Sequence, residues 1–255
     1  MIANYHTHTK RCNHAKGEER QYVENGLKAG LKILGFSDHG PYIFPGSYYS
    51  TFRMRLDQLD DYVETVLSLR GVYDGQIEIP LGLELEYYPD LLPELLPVLR
   101  DYPLDYLLLG QHFVGNEVDS SYCGAATDSK SVLKQYVYQT MDAMNSGLFT
   151  YFAHPDLLNY QGDKTLYAKE MKQLCREAKA CGVPLEYNLL GLATERHYPN
   201  DLFWKIAAEE DCDVIFGRDA HAPQALLDTY TEARAMEHLR TLGLKPLTKI
   251  SLRAI

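Results

Sequence analysis

The sequence has 255 residues, of which 45% are hydrophobic and 24% charged, and its formal net charge is −10. This length suits one α/β barrel, so we expect residues 1–255 to form a single domain. The acidic balance argues against long nucleic acids or anionic membranes as partners, because both attract a basic surface.

The sequence shows neither a membrane-spanning run nor a secretory leader pattern. No stretch approaches about 18 uninterrupted apolar residues, and no basic segment followed by an apolar one opens the chain. The five cysteines are scattered and form no Cys-x-x-Cys pair, which is typical of reduced thiols. We therefore expect a cytoplasmic protein, and nothing in the sequence indicates its oligomeric state.

Short strand-like runs alternate with longer amphipathic stretches along the chain. The runs lie near residues 2–6, 32–37, 77–87, 105–112, 148–153, 183–189 and 213–217. Apolar residues at three- and four-residue spacing predict helices between them, with Gly71, Gly147 and Gly182 at three helix ends. This alternation predicts a parallel sheet, because parallel neighbours need crossover helices. Residues 245–255 are either an edge strand or a packed tail.

Polar residues cluster where nearly every predicted strand ends, which is typical of α/β barrels with an active site at that end. We therefore predict a closed or distorted barrel. Seven of the nine histidines take part, accompanied by Glu84 and Asp219: His6, His8, His14, His39, His112, His154 and His221. Imidazole and carboxylate groups without a thiolate indicate Zn, Mn or Fe.

Six motifs at these strand ends resemble those of the polymerase-and-histidinol-phosphatase (PHP) superfamily, in the family's order. They are H-T-H-T followed by His14, S-D-H, G-L-E-L-E-Y-Y, G-Q-H, A-H-P-D and D-A-H, from residue 6 to residue 221. The sequence is most similar to the monofunctional histidinol-phosphatase branch. The resemblance implies a distorted, TIM-like (β/α)7 barrel that holds three divalent metal ions.

The resemblance also implies which residues hold each ion. The ligands of the first ion would be His6, His8, Glu84 and Asp219. Those of the second would be Glu84, His112 and His154, and those of the third His14, His39 and His221. Glu86 lies on the same strand face as Glu84, and Glu84 is preferred as the bridging ligand because it occupies the motif position.

A site of this kind predicts a phosphomonoesterase in which a metal-bridging hydroxide attacks phosphorus. Glu84, Asp219, His221 and Asp38 are the predicted catalytic residues. Asp38, like Asp156, is interpreted either as a group that orients a ligand or relays a proton, or as a turn residue at a strand end.

The predicted substrate contacts are Arg196, His197 and Arg218, because they lie near the ends of the last two strands and arginine suits phosphate. The alternative for each arginine is an exposed salt bridge. Two positions depart from the pattern of relatives. Many relatives have a motif similar to G-S-D-A-H, in which serine stands at the position of Arg218, and relatives have arginine at the position of Ala193. The segment Gly40–Thr51 is predicted to be a lid, because it is rich in Gly, Pro and Tyr and follows a candidate ligand.

The family branch implies L-histidinol phosphate as the substrate, with L-histidinol and phosphate as products. Three alternatives with the same metals remain open: another small phosphate ester, a nucleotide or a short oligonucleotide. A fourth alternative is a metal-binding regulatory domain without turnover.

Overall fold

The structure is a computed structural model that describes all 255 residues. Its strands are β1 (Ala3–Asn4), β2 (Ile33–Leu34), β3 (Phe36–His39), β4 (Leu81–Leu85), β5 (Tyr106–Leu109), β6 (Tyr151–Phe152), β7 (Leu185–Asn188) and β8 (Val214–Gly217). Its helices are α1 (Glu19–Lys28), α2 (Leu59–Val72), α3 (Leu92–Leu99), α4 (Lys130–Asn145), α5 (Lys164–Cys181), α6 (Leu189–Ala193), α7 (Asp201–Glu209) and α8 (Thr229–Thr241).

All strand pairs are parallel, as the alternation of strands and helices predicts. Strands β3 to β8 form one sheet in sequence order, and β1 pairs with β2. The seven predicted strand positions are confirmed, but the second is interrupted at Gly35 and becomes β2 and β3. The hydroxyl of Tyr106 lies at this point, where its single hydrogen has two acceptors within reach, Tyr5 O at 2.7 Å and Phe36 O at 3.0 Å. A Cβ at Gly35 would lie 2.3 Å from that hydroxyl.

The residues after β1 close the curled sheet at the carboxyl ends of its strands. Ser37 N donates to Thr7 O at 2.9 Å on one side, and His8 N donates to Ala220 O at 3.0 Å on the other. Closure through these few bonds gives the predicted distorted, TIM-like barrel. At the opposite end the C-terminal segment is a packed tail with one sheet bond, from Leu247 N to Val214 O at 2.7 Å.

Apolar residues fill the barrel and pack its helices outside. An inner cluster consists of Ala3, Tyr5, Tyr106, Leu108, Tyr151, Ala153 and Ile215. The alternate residues of the same strands, such as Leu107 and Leu109, belong to the larger cluster beneath the helices, as a period of two requires. Because the inside is filled, open space lies at the two ends of the barrel: a cavity at the carboxyl end, and a recess beside Arg70, Glu78 and Asp105 at the opposite end.

Helix ends agree with two of the three glycine predictions. Gly182 caps α5 with a φ of 59°, and Gly147 follows α4 with a φ of 72°. The prediction for Gly71 is wrong, because α2 continues to Val72 and the left-handed turn falls at Gly75. No helix combines the length and the apolar character that crossing a lipid bilayer requires.

Candidate metal centre

A cavity of about 550 Å³ opens at the carboxyl end of the barrel. Seven candidate metal ligands line it: His14, His39, Glu84, His112, His154, Asp219 and His221. The remaining candidates, His6 and His8, are fully buried beneath it. The structure thus brings all nine candidate ligands of the sequence analysis together.

Two of these ligands adopt unusual backbone conformations. His154 has a φ of 34° and Asp219 a φ of 47°, a region that non-glycine residues enter at a cost of about 1–3 kcal/mol each. Both follow the end of a strand, where this conformation turns the chain. Conformations of this kind cluster at functional sites, and here they belong to two residues that face the cavity.

Glu84 lies at the centre of the group, with histidine nitrogens facing both of its carboxylate oxygens. Its Oε1 is 2.9 Å from His154 Nε2 and 3.8 Å from His112 Nε2. Its Oε2 is 3.1 Å from His39 Nδ1 and 3.3 Å from His6 Nε2. A carboxylate in this position has the geometry of a bridging ligand.

Glycine keeps the space around Glu84 open. A Cβ at Gly110, in the G-Q-H motif, would lie 2.0 Å from Glu84 Oε1. The motif glycine is therefore required by the close approach of β5 to the carboxylate.

The donor atoms form five groups of three, in each of which all atoms lie within 4.8 Å of one another. One group adds the thiol of Cys12 to His8 and His221, and the other four consist of candidate ligands alone. These four are His6, His8 and Asp219; His6, Glu84 and His154; His8, His39 and Glu84; and His14, His39 and His221. The first and last groups contain ligands that the sequence analysis assigned together. His112, assigned beside Glu84 and His154, stands slightly farther away.

Several of these donors are buried without any hydrogen-bond partner. They are His6 Nε2, His8 Nε2, His39 Nδ1, Glu84 Oε2 and Asp219 Oδ1. Buried polar atoms nearly always have a partner, and these five face one another. Imidazole nitrogens and carboxylate oxygens arranged in this way fit divalent metal ions such as zinc, manganese or iron.

The carboxylates and histidines of the cluster shift one another's pKa values. Burial raises the pKa values of Glu84 and Asp219, but the surrounding histidines lower them further, to well below their usual range. Burial lowers the pKa values of His6 and His8, yet the nearby carboxylates hold them well above 6.5. Protons on His6 and His8 thus balance the charge of the ionised Glu84 and Asp219, and a metal ion would displace those protons.

The second ring nitrogen of five histidines is already occupied by an acceptor. The Nδ1 contacts are His6 with Glu186 at 2.8 Å, His8 with Asp38 at 3.3 Å, His112 with Glu86 at 2.8 Å, His14 with Cys12 O at 2.7 Å and His221 with Asp219 O at 3.0 Å. Such contacts fix the tautomer and leave Nε2 free for a metal. Sequence reasoning missed the orienting roles of Glu186, which lies within β7, and of Glu86, which directly follows β4.

The two additional aspartates of the sequence analysis both lie behind the ligands. Asp38 is fully buried, accepts hydrogen bonds from Thr9 Oγ1 and from His39 N, and contacts His8. It does not line the cavity, so the geometry favours an orienting role over proton relay. Asp156 accepts from Asn200 N at 2.6 Å and from Trp204 Nε1 at 3.0 Å, which anchors the start of α7.

Of the three predicted substrate contacts, only Arg196 lines the cavity. Its Nη1 donates to Tyr198 Oη at 2.6 Å. The prediction for His197 is corrected, because its ring turns into a separate recess and contacts Leu157 O at 2.6 Å.

The prediction for Arg218 is corrected as well. Its buried side chain donates to Asp228 O and pairs with Glu232 at the start of α8. Both residues follow the end of β8, and Asp219 is in the left-handed conformation. Arg218 therefore packs against the start of α8, whereas Asp219 faces the cavity.

Aromatic rings form one wall of the cavity, which sequence reasoning did not foresee. Phe52 stacks on Phe113 with ring centroids 5.8 Å apart, and Phe113 lies 5.9 Å from Tyr122. Tyr122 in turn stacks on His112 at 6.4 Å. Thr51, at the end of the predicted lid segment, and Phe52 both line the cavity, so this segment contributes part of its wall.

Comparison with known proteins yields consistent matches. The family model described as PHP domain matches residues 4–189. A probable histidinol-phosphatase of Deinococcus radiodurans is 28% identical over 97% of this chain and 96% of its own length. The histidinol-phosphatase of Bacillus subtilis is 26% identical, with 85% of this chain and 92% of that protein covered.

A solved structure has the same fold. It is the histidinol phosphate phosphatase of Lactococcus lactis, in complex with zinc, L-histidinol and phosphate. It superposes with a TM-score of 0.76 and 18% sequence identity, and the match covers 98% of this chain and 97% of that one.

Proposed function

This chain belongs to the PHP domain family, and on that premise we propose that it is a phosphoric monoester hydrolase that converts L-histidinol phosphate into L-histidinol and phosphate. The observation that carries the proposal is the group of buried, unpartnered donors below the cavity. Relatives named as histidinol-phosphatases match it over nearly their whole length. The reaction would use three divalent ions, held by the nine candidate ligands.

The chemistry of the cavity supports a small phosphate ester with a flat ring. Its volume of about 550 Å³ lies in the range of small-molecule sites. The wall formed by Phe52, Phe113 and Tyr122 offers ring faces for stacking an imidazole. Arg196 is the cavity-lining arginine, and its guanidinium suits phosphoryl oxygens.

Each part of the site has a separate task in this reaction. Divalent ions, when bound, would acidify a water molecule and neutralise phosphoryl oxygens. Glu84 would hold two ions together, since histidine nitrogens face both of its oxygens. Glu186, Asp38 and Glu86 keep His6, His8 and His112 in the tautomer that binds metal through Nε2. Arg196 would orient the phosphoryl group for in-line attack.

The test is a phosphate-release assay on protein loaded separately with Zn, Mn or Fe(II). L-Histidinol phosphate is compared with sugar phosphates, nucleotides and a short oligonucleotide. We expect the highest kcat/KM for L-histidinol phosphate. Comparable weak rates on all substrates would contradict the substrate, and no release with any metal would contradict the phosphatase class.

A further inference from the structure

Arg53 is a buried arginine that belongs neither to the candidate ligands nor to the cavity lining. It follows Phe52 in the segment between β3 and α2, and the residue is only 2% exposed. A buried guanidinium is costly unless charged partners and hydrogen bonds compensate for the lost hydration. The partners of Arg53 therefore indicate what it does.

The Arg53 side chain joins three segments at the rim of the barrel. Its Nη1 donates to Gly40 O at 3.0 Å, directly after β3. Its Nε donates to Glu117 Oε2 at 3.0 Å, in the loop after β5, and its Nη2 lies 3.0 Å from Glu86 Oε2, directly after β4. The guanidinium also lies 4.5 Å from the ring centroid of Phe52, which secures that ring in the cavity wall.

Glu86 extends this contact to a candidate metal ligand. Its Oε1 is 2.8 Å from His112 Nδ1, while its Oε2 faces Arg53. An ionised carboxylate only accepts hydrogen bonds, so His112 Nδ1 carries the proton and Nε2 is left to bind a cation. Arg53 is the only cation paired with Glu86 Oε2, and removing it would free the carboxylate to rotate.

We propose that Arg53 is a positioning residue that fixes the tautomer and orientation of His112 through Glu86 and holds Phe52 in the cavity wall with the same side chain. This inference rests on the proposed metal-dependent function. Metal affinity and substrate binding would then both depend on the buried guanidinium of Arg53. Glu117 contacts Arg53 but not His112, so it should influence the position of Phe52 in the cavity wall and not the orientation of His112.

The test compares variants that separate these two effects. Arg53→Met removes the charge and retains much of the side-chain volume. Its affinity for Zn²⁺, measured by competition with a chromophoric chelator, should fall about 10- to 100-fold, the range typical when a group behind a metal ligand is replaced. Arg53→Lys should recover zinc affinity more than KM, because lysine keeps the charge but lacks the planar fork. Glu117→Gln should raise KM and leave zinc affinity unchanged.

A second readout needs neither metal nor activity. Imidazole nitrogen-15 chemical shifts of the metal-free protein report the His112 tautomer, with the resonance assigned from a His112→Gln variant. Burial lowers the pKa of His112 but Glu84 and Glu86 raise it above its ordinary value, so the spectra are recorded at a pH high enough to keep the ring neutral. We expect the Nδ1–H form in the unaltered chain and a mixture of tautomers in Arg53→Met. The matched control is Arg70→Met at the opposite end of the barrel, which also loses a carboxylate and a carbonyl contact, to Asp105 and Ile79. Arg70→Met should change neither the zinc affinity nor the His112 tautomer.

Unchanged zinc affinity and an unchanged His112 tautomer in Arg53→Met would overturn the inference. If that variant does not fold, Glu86→Gln replaces it, and a folded Glu86→Gln protein with full zinc affinity would overturn the inference equally. The two proposals can fail separately. If the unaltered chain hydrolyses none of the phosphate esters, but Arg53→Met changes the His112 tautomer, the proposed function is contradicted and the role of Arg53 is still supported.

Discussion

Glu84 is the residue on which the site depends most, because both of its oxygens face histidine nitrogens. A side chain that only orients a ligand affects one metal position. Loss of Glu84 would affect two, and would leave several histidines facing one another without an anion between them.

Glu84→Ala should therefore lower both the metal content and the activity. We expect activity to fall by more than the roughly 10- to 100-fold typical of groups that orient a ligand. Elemental analysis and the phosphate-release assay are the measurements. Glu170→Ala is the control, because Glu170 is equally buried but lies on α5 outside the site. Full metal content in the Glu84 variant would exclude a bridging role.

Arg196 and Arg218 should respond differently to the same substitution. Arg196→Met should lower kcat/KM about 10- to 100-fold, since a charge-assisted hydrogen bond to phosphate contributes about 1.5–3 kcal/mol. Arg218→Met should leave kcat/KM unchanged but lower the free energy of unfolding by about 1–3 kcal/mol, because Asp228 O and Glu232 Oε2 lose their donor, while Glu232 Oε1 keeps its contact with the amino group of Met1. Steady-state kinetics and urea unfolding measure the two effects. The reverse assignment would show that Arg218 contacts the substrate after all.

Asp156 should make stability depend on pH. Burial raises its pKa to about 6, against an ordinary value of 3.8. The folded chain therefore binds the proton more tightly, and its stability falls as pH rises from about 4 to about 6. Asp156→Asn can keep both bonds, since Asn200 N and Trp204 Nε1 donate to the same oxygen. It should match the unaltered chain below pH 4 and be about 3 kcal/mol more stable above pH 6. Urea unfolding of both proteins between about pH 4 and pH 6 tests this prediction. A difference in the free energy of unfolding that does not change with pH would contradict it.

The nine candidate ligands could be proposed from the sequence because each belongs to a recognisable motif at, or in the loop after, a strand end. It did not allow side-chain direction to be predicted for Arg218 and His197. That direction depends on the left-handed turn at Asp219 and on the fold around Leu157. Phe52 was missed for a related reason, since its position in the wall depends on Arg53 and on two distant glutamates.

At the scale of the elements, the break between β2 and β3 shows how one strand constrains another. Sequence periodicity predicted a single strand there. At the break the strand changes partner, from β1 to β4, and the Tyr106 hydroxyl of β5 lies against Tyr5 O and Phe36 O. A contact between residues about 70 positions apart in the chain leaves no local pattern to recognise.

Gly35→Ala should destabilise the fold, because its Cβ would lie 2.3 Å from Tyr106 Oη. We expect a loss of about 1–3 kcal/mol, typical of overpacking. Combining it with Tyr106→Phe should cost less than the sum of the two single changes, since the clashing oxygen is gone. Gly71→Ala is the control: nothing lies within 4 Å of its Cβ, and it should gain about 0.5–1 kcal/mol in helix α2. Urea unfolding gives all four values, and simple additivity would contradict the steric explanation.

At the scale of the whole molecule, the candidate ligands connect elements from both ends of the chain. Metal ions that bind only the folded state stabilise it, by about 2.7 kcal/mol at a concentration of one hundred times Kd. Removing metal with a chelator should therefore lower Tm, and adding Zn²⁺ back should restore it. Calorimetry measures this, and the same Tm with and without metal would contradict a metal site of this extent.

The closure of the barrel has a consequence for biosynthesis. His8 N bonds to Ala220 O, and the ring of His6 lies 3.6 Å from Asp219 Oδ1. His6 and His8 therefore acquire these two neighbours only after the more than two hundred residues that separate them in the chain have been synthesised. A nascent chain that stops short of β8 has no complete donor set, so the site is assembled only after translation has passed Asp219. Binding of the full set of metal ions would therefore indicate that synthesis has passed Asp219 and that the chain has folded.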